Sequence, residues 1–191
     1  MPQNSPATRG KSSKTSRATP ASAGPARSPE KATKTPATPA RAPAFDLESD
    51  GGDRLKLRDF AGKWTILYFY PKDNTPGCTR EAQDFTRAVP RLKKLGAEVV
   101  GVSKDSVKSH CGFKEKIGIG FTLLSDPDLN AHKAYGAWGT KTMYGKKVEG
   151  VIRSTFLVSP EGKIVRSWSG VKVDGHADKV LAALEEAKGA S

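Results

Sequence analysis

From residue 45 onward the chain alternates short apolar runs of strand length with longer amphipathic stretches. Residues 64–70, WTILYFY, are a continuous run of β-branched and aromatic residues closed by Pro71, which predicts a strand. Residues 98–103 (EVVGVS) predict a second buried strand and residues 121–125 (FTLLS) a short third one. Residues 79–94 lie between the first two as a helix. Residues 106–117 give a second helix, with Asp105 as its cap and Gly118 and Gly120 separating it from the next strand. Residues 129–135 predict a short helix. Residues 152–159 and 163–169 form a hairpin through Pro160-Glu161-Gly162, a strong turn sequence. The last helix, 176–188, carries Ala177, Val180, Leu181, Leu184 and Ala187 at helical spacing. Ahead of all these, residues 45–47 and 55–57 predict a small hairpin around Asp50-Gly51-Gly52-Asp53. This order is that of an α/β domain with a mixed central sheet flanked by helices on both faces.

Residues 1–44 break the pattern. They hold almost only Ala, Pro, Ser, Thr, Lys, Arg and Gly, with eight cations, one acid (Glu30) and no aromatic residue. Such a segment buries too little apolar surface to offset its ordering entropy, so the expectation is a disordered basic tail at 1–44 and one folded domain at 45–191. Of the net charge of +12, the tail holds +7. It is either a solvated extension or an arm with weak affinity for nucleic acid or an acidic surface through counterion release. No aromatic residue interleaves the basic ones, so base stacking is not available to it. The tail has no apolar core of a secretory signal, and no run of 18 apolar residues marks a membrane span. Its prolines oppose the amphipathic helix of an organelle transit peptide.

Two cysteines are too few for a secreted disulfide scaffold, which points to a reducing, cytoplasmic setting. They do not form Cys-x-x-Cys, which weighs against a thioredoxin-type reductase and against zinc. His110, His132 and His176 are far apart and each sits in a helical stretch, where a partly exposed structural imidazole is expected.

Cys78 is the residue placed to react. It follows the 64–70 strand and a loop punctuated by Pro71 and Asn74, and Thr75-Pro76 is a helix start, with Thr as N-cap and Pro at the first helical position. Cys78 therefore falls in the opening turn, where free backbone N–H groups, including those of Gly77 and Cys78, favour an anion and hence the nucleophilic thiolate. A Thr75 hydroxyl three residues earlier is spaced to bond the sulfur or an oxygen approaching it.

Pro71-x-x-x-Thr75-x-x-Cys78 resembles the active-site motif of peroxiredoxins, and YPKDNTPGCTREAQDF resembles the peroxiredoxin Q, or bacterioferritin comigratory protein, branch. The likeness runs from about residue 45 to 188 through GVSKDSVKSH, FTLLSDPD, YGAWG and GVIRSTFLVSPEGKI, in that family's order. It implies a thioredoxin-like fold and a thiol-dependent peroxidase acting on hydrogen peroxide or alkyl hydroperoxides, without metal, haem or flavin. Cys78 would be the attacking residue, with Pro71, Thr75, Gly77 and Arg153 around the substrate. Arg153 matches the family's active-site arginine and has the planar, always charged fork that suits a thiolate and a peroxide oxygen together. Arg80, closer in sequence, ranks below it, and Glu81 either braces an arginine or simply favours its helix start. The family's usual second thiol, five residues after the first, is absent, since position 83 is Gln83. Some relatives place that thiol where this chain has Lys114, and Cys111 lies one turn before it, nearly on the same face. Either Cys111 resolves the sulfenic acid of Cys78 as an intramolecular disulfide, or an external thiol does. A thioredoxin-like reductant and a monomer or weak dimer complete the expectation. The alternatives outside this class are a nucleic-acid-associated protein acting through its tail and a thiol-disulfide exchanger.

Overall fold

The computed structural model describes residues 31–34, 40–143 and 145–189. In chain order these form β1 (Lys31–Lys34), β2 (Ala40–Arg41), β3 (Asp46–Ser49) and β4 (Arg54–Lys56), a 3-10 turn at Leu57–Phe60, then β5 (Trp64–Phe69) and α1 (Pro76–Lys94). Next come β6 (Ala97–Ser103), α2 (Val107–Ile117), β7 (Thr122–Ser125) and α3 (Asn130–Ala134). The hairpin β8 (Trp138–Met143) and β9 (Lys146–Val151), the hairpin β10 (Ser154–Val158) and β11 (Lys163–Ser169), and α4 (His176–Gly189) follow. The main sheet runs β1-β11-β10-β5-β6-β7-β3-β4, with β2 also on β11. β5, β6 and β7 are mutually parallel and β10 pairs antiparallel with β5, so the sheet is mixed as expected.

Alternate residues of β5 serve opposite faces of the sheet. Ile66 and Tyr68 point to one core with Phe85 and Leu92 of α1, Phe113 of α2 and Val180, Leu181 and Leu184 of α4. Leu67 and Phe69 point to the other, with Val100 and Val102 of β6, Ala131 of α3, Phe45 and Phe156. That double burial is why residues 64–70 read as an unbroken apolar run rather than an alternating one.

Three expectations change. Within the expected tail, residues 31–34 and 40–41 form strands, and the chain from 40 to 44 joins the folded part. β1 and β2 both pair antiparallel with β11, Ala42 is buried and its N–H donates to Gly162 O (2.9 Å), and Tyr135 Oη donates to Pro43 O (2.7 Å). Backbone pairing with the open edge of β11 supplies what composition alone does not. The remainder of the expected tail lies outside the described residues. The cap of α2 is Ser106, whose Oγ accepts from Ser109 N (3.3 Å), because Asp105 is engaged elsewhere. The β8–β9 hairpin was not foreseen: its Lys- and Gly-rich strands lack an apolar alternation, and they pair with each other outside the main sheet.

Among the described residues no helix is long and apolar enough to cross a membrane.

Candidate active site

Strand register brings the site together. Ser154 of β10 is paired with Phe69, the last residue of β5. The residue before Ser154 therefore lies beside the loop that follows Phe69, which is how Arg153, 75 positions on in sequence, reaches Cys78. Arg153 is not within a strand as expected. With Ile152 it forms the link between β9 and β10, held by Ile152 N to Ala137 O (2.8 Å) and Val171 N to Arg153 O (3.0 Å).

Cys78 is the third residue of α1, after the N-cap Thr75 and Pro76. The first helical bond runs from Thr79 N to Thr75 O (2.8 Å), so the N–H groups of Gly77 and Cys78 precede the ladder. Cys78 is 1% exposed. Arg153 Nη2 donates to Cys78 Sγ (3.2 Å), and Nη1 donates to Glu81 Oε2. Gly77 flanks this fork, since a Cβ there would lie 3.5 Å from Nη2. Glu81 is also 1% exposed, and its second oxygen, Oε1, has no partner. Burial pushes its carboxyl up to about 7, against the pull of Arg153. Of the two roles the sequence left open for Glu81, bracing an arginine is the one realised.

The other candidates divide. Thr75 Oγ1 donates to Lys72 O (3.1 Å) rather than to the sulfur, which ties the loop after Pro71 into a turn. Arg80 points away and pairs with Asp174 (2.8 Å). Cys111 is exposed on α2, and its Sγ donates to Asp50 O (3.2 Å) in the β3–β4 turn. Neither cysteine is in a disulfide.

The histidines correct the sequence reading, because all three are buried. His132 pairs with Asp126 (2.7 Å), and His176 bonds Thr155 Oγ1 (2.8 Å). His110 belongs to a network that sequence reasoning missed. The Asp73 carboxylate accepts from Tyr70 Oη (2.8 Å), Ser109 Oγ (2.7 Å) and His110 Nδ1 (2.9 Å), while Asp73 N donates to Asp105 Oδ2 (2.9 Å). Burial opposes ionisation of Asp73, but the donors from His110 and Ser109 win and hold its carboxyl below the usual range. This cluster fastens the loop before Cys78 to the first turn of α2. Its signal in the sequence was a lone acid in a turn and a Ser-His pair, neither of which names its partner.

A buried thiol at a helix start, bonded to a guanidinium, has surroundings that suit a nucleophile. Comparison with known proteins narrows the electrophile. The family model described as AhpC/TSA matches residues 39–167. "Peroxiredoxin Bcp" of Xanthomonas campestris is 53% identical over 139 residues, covering 73% of this chain and 87% of its own. The Bacillus subtilis protein of the same name is 43% identical, covering 74% and 90%. Among solved structures, Xanthomonas campestris peroxiredoxin Q superposes with a TM-score of 0.71 at 52% identity, covering 74% of this chain and 90% of that one. The fold is thus the thioredoxin-like one of these enzymes, whose family implies a peroxide substrate and a thiol reductant. The chain belongs to the AhpC/TSA family, in its Bcp or peroxiredoxin Q branch, and is a thiol-dependent peroxidase.

Proposed function

We propose that Cys78 is the peroxidatic thiolate, that Arg153 stabilises it and the departing oxygen, and that Cys111 resolves the product. The observation that supports this most is the single guanidinium donating to Cys78 Sγ at 3.2 Å from a side chain that is 15% exposed. The thiolate attacks the terminal oxygen of hydrogen peroxide or an alkyl hydroperoxide, the O–O bond breaks, and Cys78 becomes a sulfenic acid. Alkyl hydroperoxides are included because a solved Xanthomonas campestris bacterioferritin comigratory protein, 51% identical, is described as having alkyl peroxide reduction activity. Pro71, Thr75 and Gly77 shape the approach beside the sulfur.

Cys111 then condenses with the sulfenic acid, releasing water, and a thioredoxin-like donor reduces the disulfide. A disulfide needs Cα atoms within about 7 Å, and Cys78 is buried while Cys111 is exposed against Asp50. The first turn of α1, or α2 around Cys111, therefore unwinds after oxidation. Gly77 and Gly112 ease that, each weakening its helix by about 1 kcal/mol relative to Ala.

Intact mass after one equivalent of peroxide tests the resolution step. Loss of two hydrogens, abolished in Cys111→Ser, is expected, and that variant should stall with thioredoxin and over-oxidise. Full thioredoxin-driven turnover by Cys111→Ser would assign resolution to an external thiol.

A further inference from the structure

One guanidinium in this site serves two buried acids. Arg153 donates to Cys78 Sγ and to Glu81 Oε2, and both acceptors are 1% exposed. Among the described residues, no other cationic side chain bonds either of them. Asp84, on the same helix, is an acid that opposes ionisation of Glu81. Tyr68 of β5 brings a buried hydroxyl with no hydrogen-bond partner among the described residues. His176 of α4, toward Arg153, is kept neutral at ordinary pH by burial. If Cys78 and Glu81 were both ionised, two anions would share one cation away from water, with net buried charge left over. Glu81 Oε1 bears on the choice directly, because a carboxylate there has a buried oxygen that no described residue bonds.

We infer that Glu81 holds a proton while Cys78 is a thiolate, and releases it when oxidation makes the sulfur neutral. This rests on Cys78 being the reacting thiolate. The thiolate attacks R–O–O–H, an S–O bond forms and the O–O bond breaks. Sulfur loses two electrons to the peroxide, the sulfenic acid keeps the hydroxyl proton, and RO⁻ departs needing one more. Once the sulfur is uncharged, Glu81 is the one acid left to pair with Arg153, so its carboxyl ionises. The proton it gives up balances the one that RO⁻ takes up. In sum, thiolate, carboxylic acid and hydroperoxide become sulfenic acid, carboxylate and alcohol, with no proton drawn from the medium. The thiol reductant returns that proton when it restores Cys78. Glu81 is in this sense a positioning residue for charge, acting through Arg153.

The test follows sulfur and protons together. Full-length protein carrying Cys111→Ser is mixed with one equivalent of tert-butyl hydroperoxide in weakly buffered solution at about pH 6, below the usual range of thiol ionisation. Ultraviolet thiolate absorbance reports the sulfur, and a pH indicator reports protons. The expected result is loss of the thiolate signal with no proton uptake. Adding Glu81→Gln, which keeps an acceptor for Arg153 but holds no exchangeable acid proton, should give the same thiolate loss with one proton taken up per sulfur. Uptake of one proton by the Glu81 protein, or none by the Gln variant, overturns the inference. If no thiolate signal is lost on mixing, the assignment of Cys78 itself fails, and this inference with it. Infrared difference spectra of the Glu81 protein supply a readout that does not depend on a variant folding. One carboxylic-acid carbonyl band per chain should disappear on oxidation, and its persistence contradicts the proposal.

Discussion

Replacing Arg153 with Met is expected to slow the first reaction of Cys78 with peroxide by about 100- to 1000-fold. The two terminal nitrogens of the side chain are divided between Cys78 Sγ, at 3.2 Å, and Glu81 Oε2, at a position 15% exposed. Met keeps an unbranched stem of similar reach and removes the charge with both bonds. Losing one preorganised donor where negative charge develops costs about 3 to 4 kcal/mol, which at about 1.4 kcal/mol per decade is two to three orders of magnitude. Lys in the same place restores charge but cannot bridge both acceptors as a planar fork does, so Arg153→Lys should recover about one of those decades. The assay is stopped-flow consumption of a single equivalent of peroxide, which leaves resolution and the reductant out of the rate. A Met variant within about threefold of the parent, a barrier change of well under 1 kcal/mol, would show that the guanidinium has no part in the chemistry.

Two further predictions concern the core around the site. His176 is held neutral, its value lowered from 6.5 to about 4 by burial and then by Lys179 and Arg153. The unfolded chain therefore binds a proton that the folded one refuses, and this contribution to stability, complete above pH 6.5, is lost as pH falls to about 4. In His176→Asn that loss should vanish. The stability of the parent minus that of the variant, read from urea unfolding, should rise by about 3 kcal/mol as pH is raised from about 4 to 6.5, and a constant difference would contradict it. Gly101 lies where a Cβ would come within 2.8 Å of Leu123 Cδ2 and 2.9 Å of Tyr68 Oη, both in the packed interior. Gly101→Ala should cost about 1 to 3 kcal/mol in the same assay, and an unchanged midpoint would mean that Tyr68 moves aside freely.

What the sequence showed depended on whether a signal was local. The strand at β5, the turn after it and the Thr75-Pro76 helix start are neighbours in the chain, and together they placed Cys78 in the first turn of α1. Arg153 was found through a family motif, because nothing around it in sequence reveals that Ser154 pairs with Phe69. The Asp73 cluster stayed hidden for the same reason: its members lie up to 40 positions apart, and their pairing is a product of how α2 packs. The histidines were misread because helical position alone does not report which face is covered, and all three turned inward to find an acceptor or donor. Residues 31–34 and 40–44 were missed since their order comes from the edge of β11, not from their own composition.

Oxygen transfer to the Cys78 sulfur is put to the test by trapping the sulfenic acid with a dimedone-type reagent in Cys111→Ser after one equivalent of peroxide, followed by peptide mass mapping. One adduct on the peptide containing Cys78, with peroxide consumption abolished in Cys78→Ser, is the predicted result. An unlabelled Cys78, or a Cys78→Ser protein that retains more than about one per cent of the parental rate, would place the chemistry on another group.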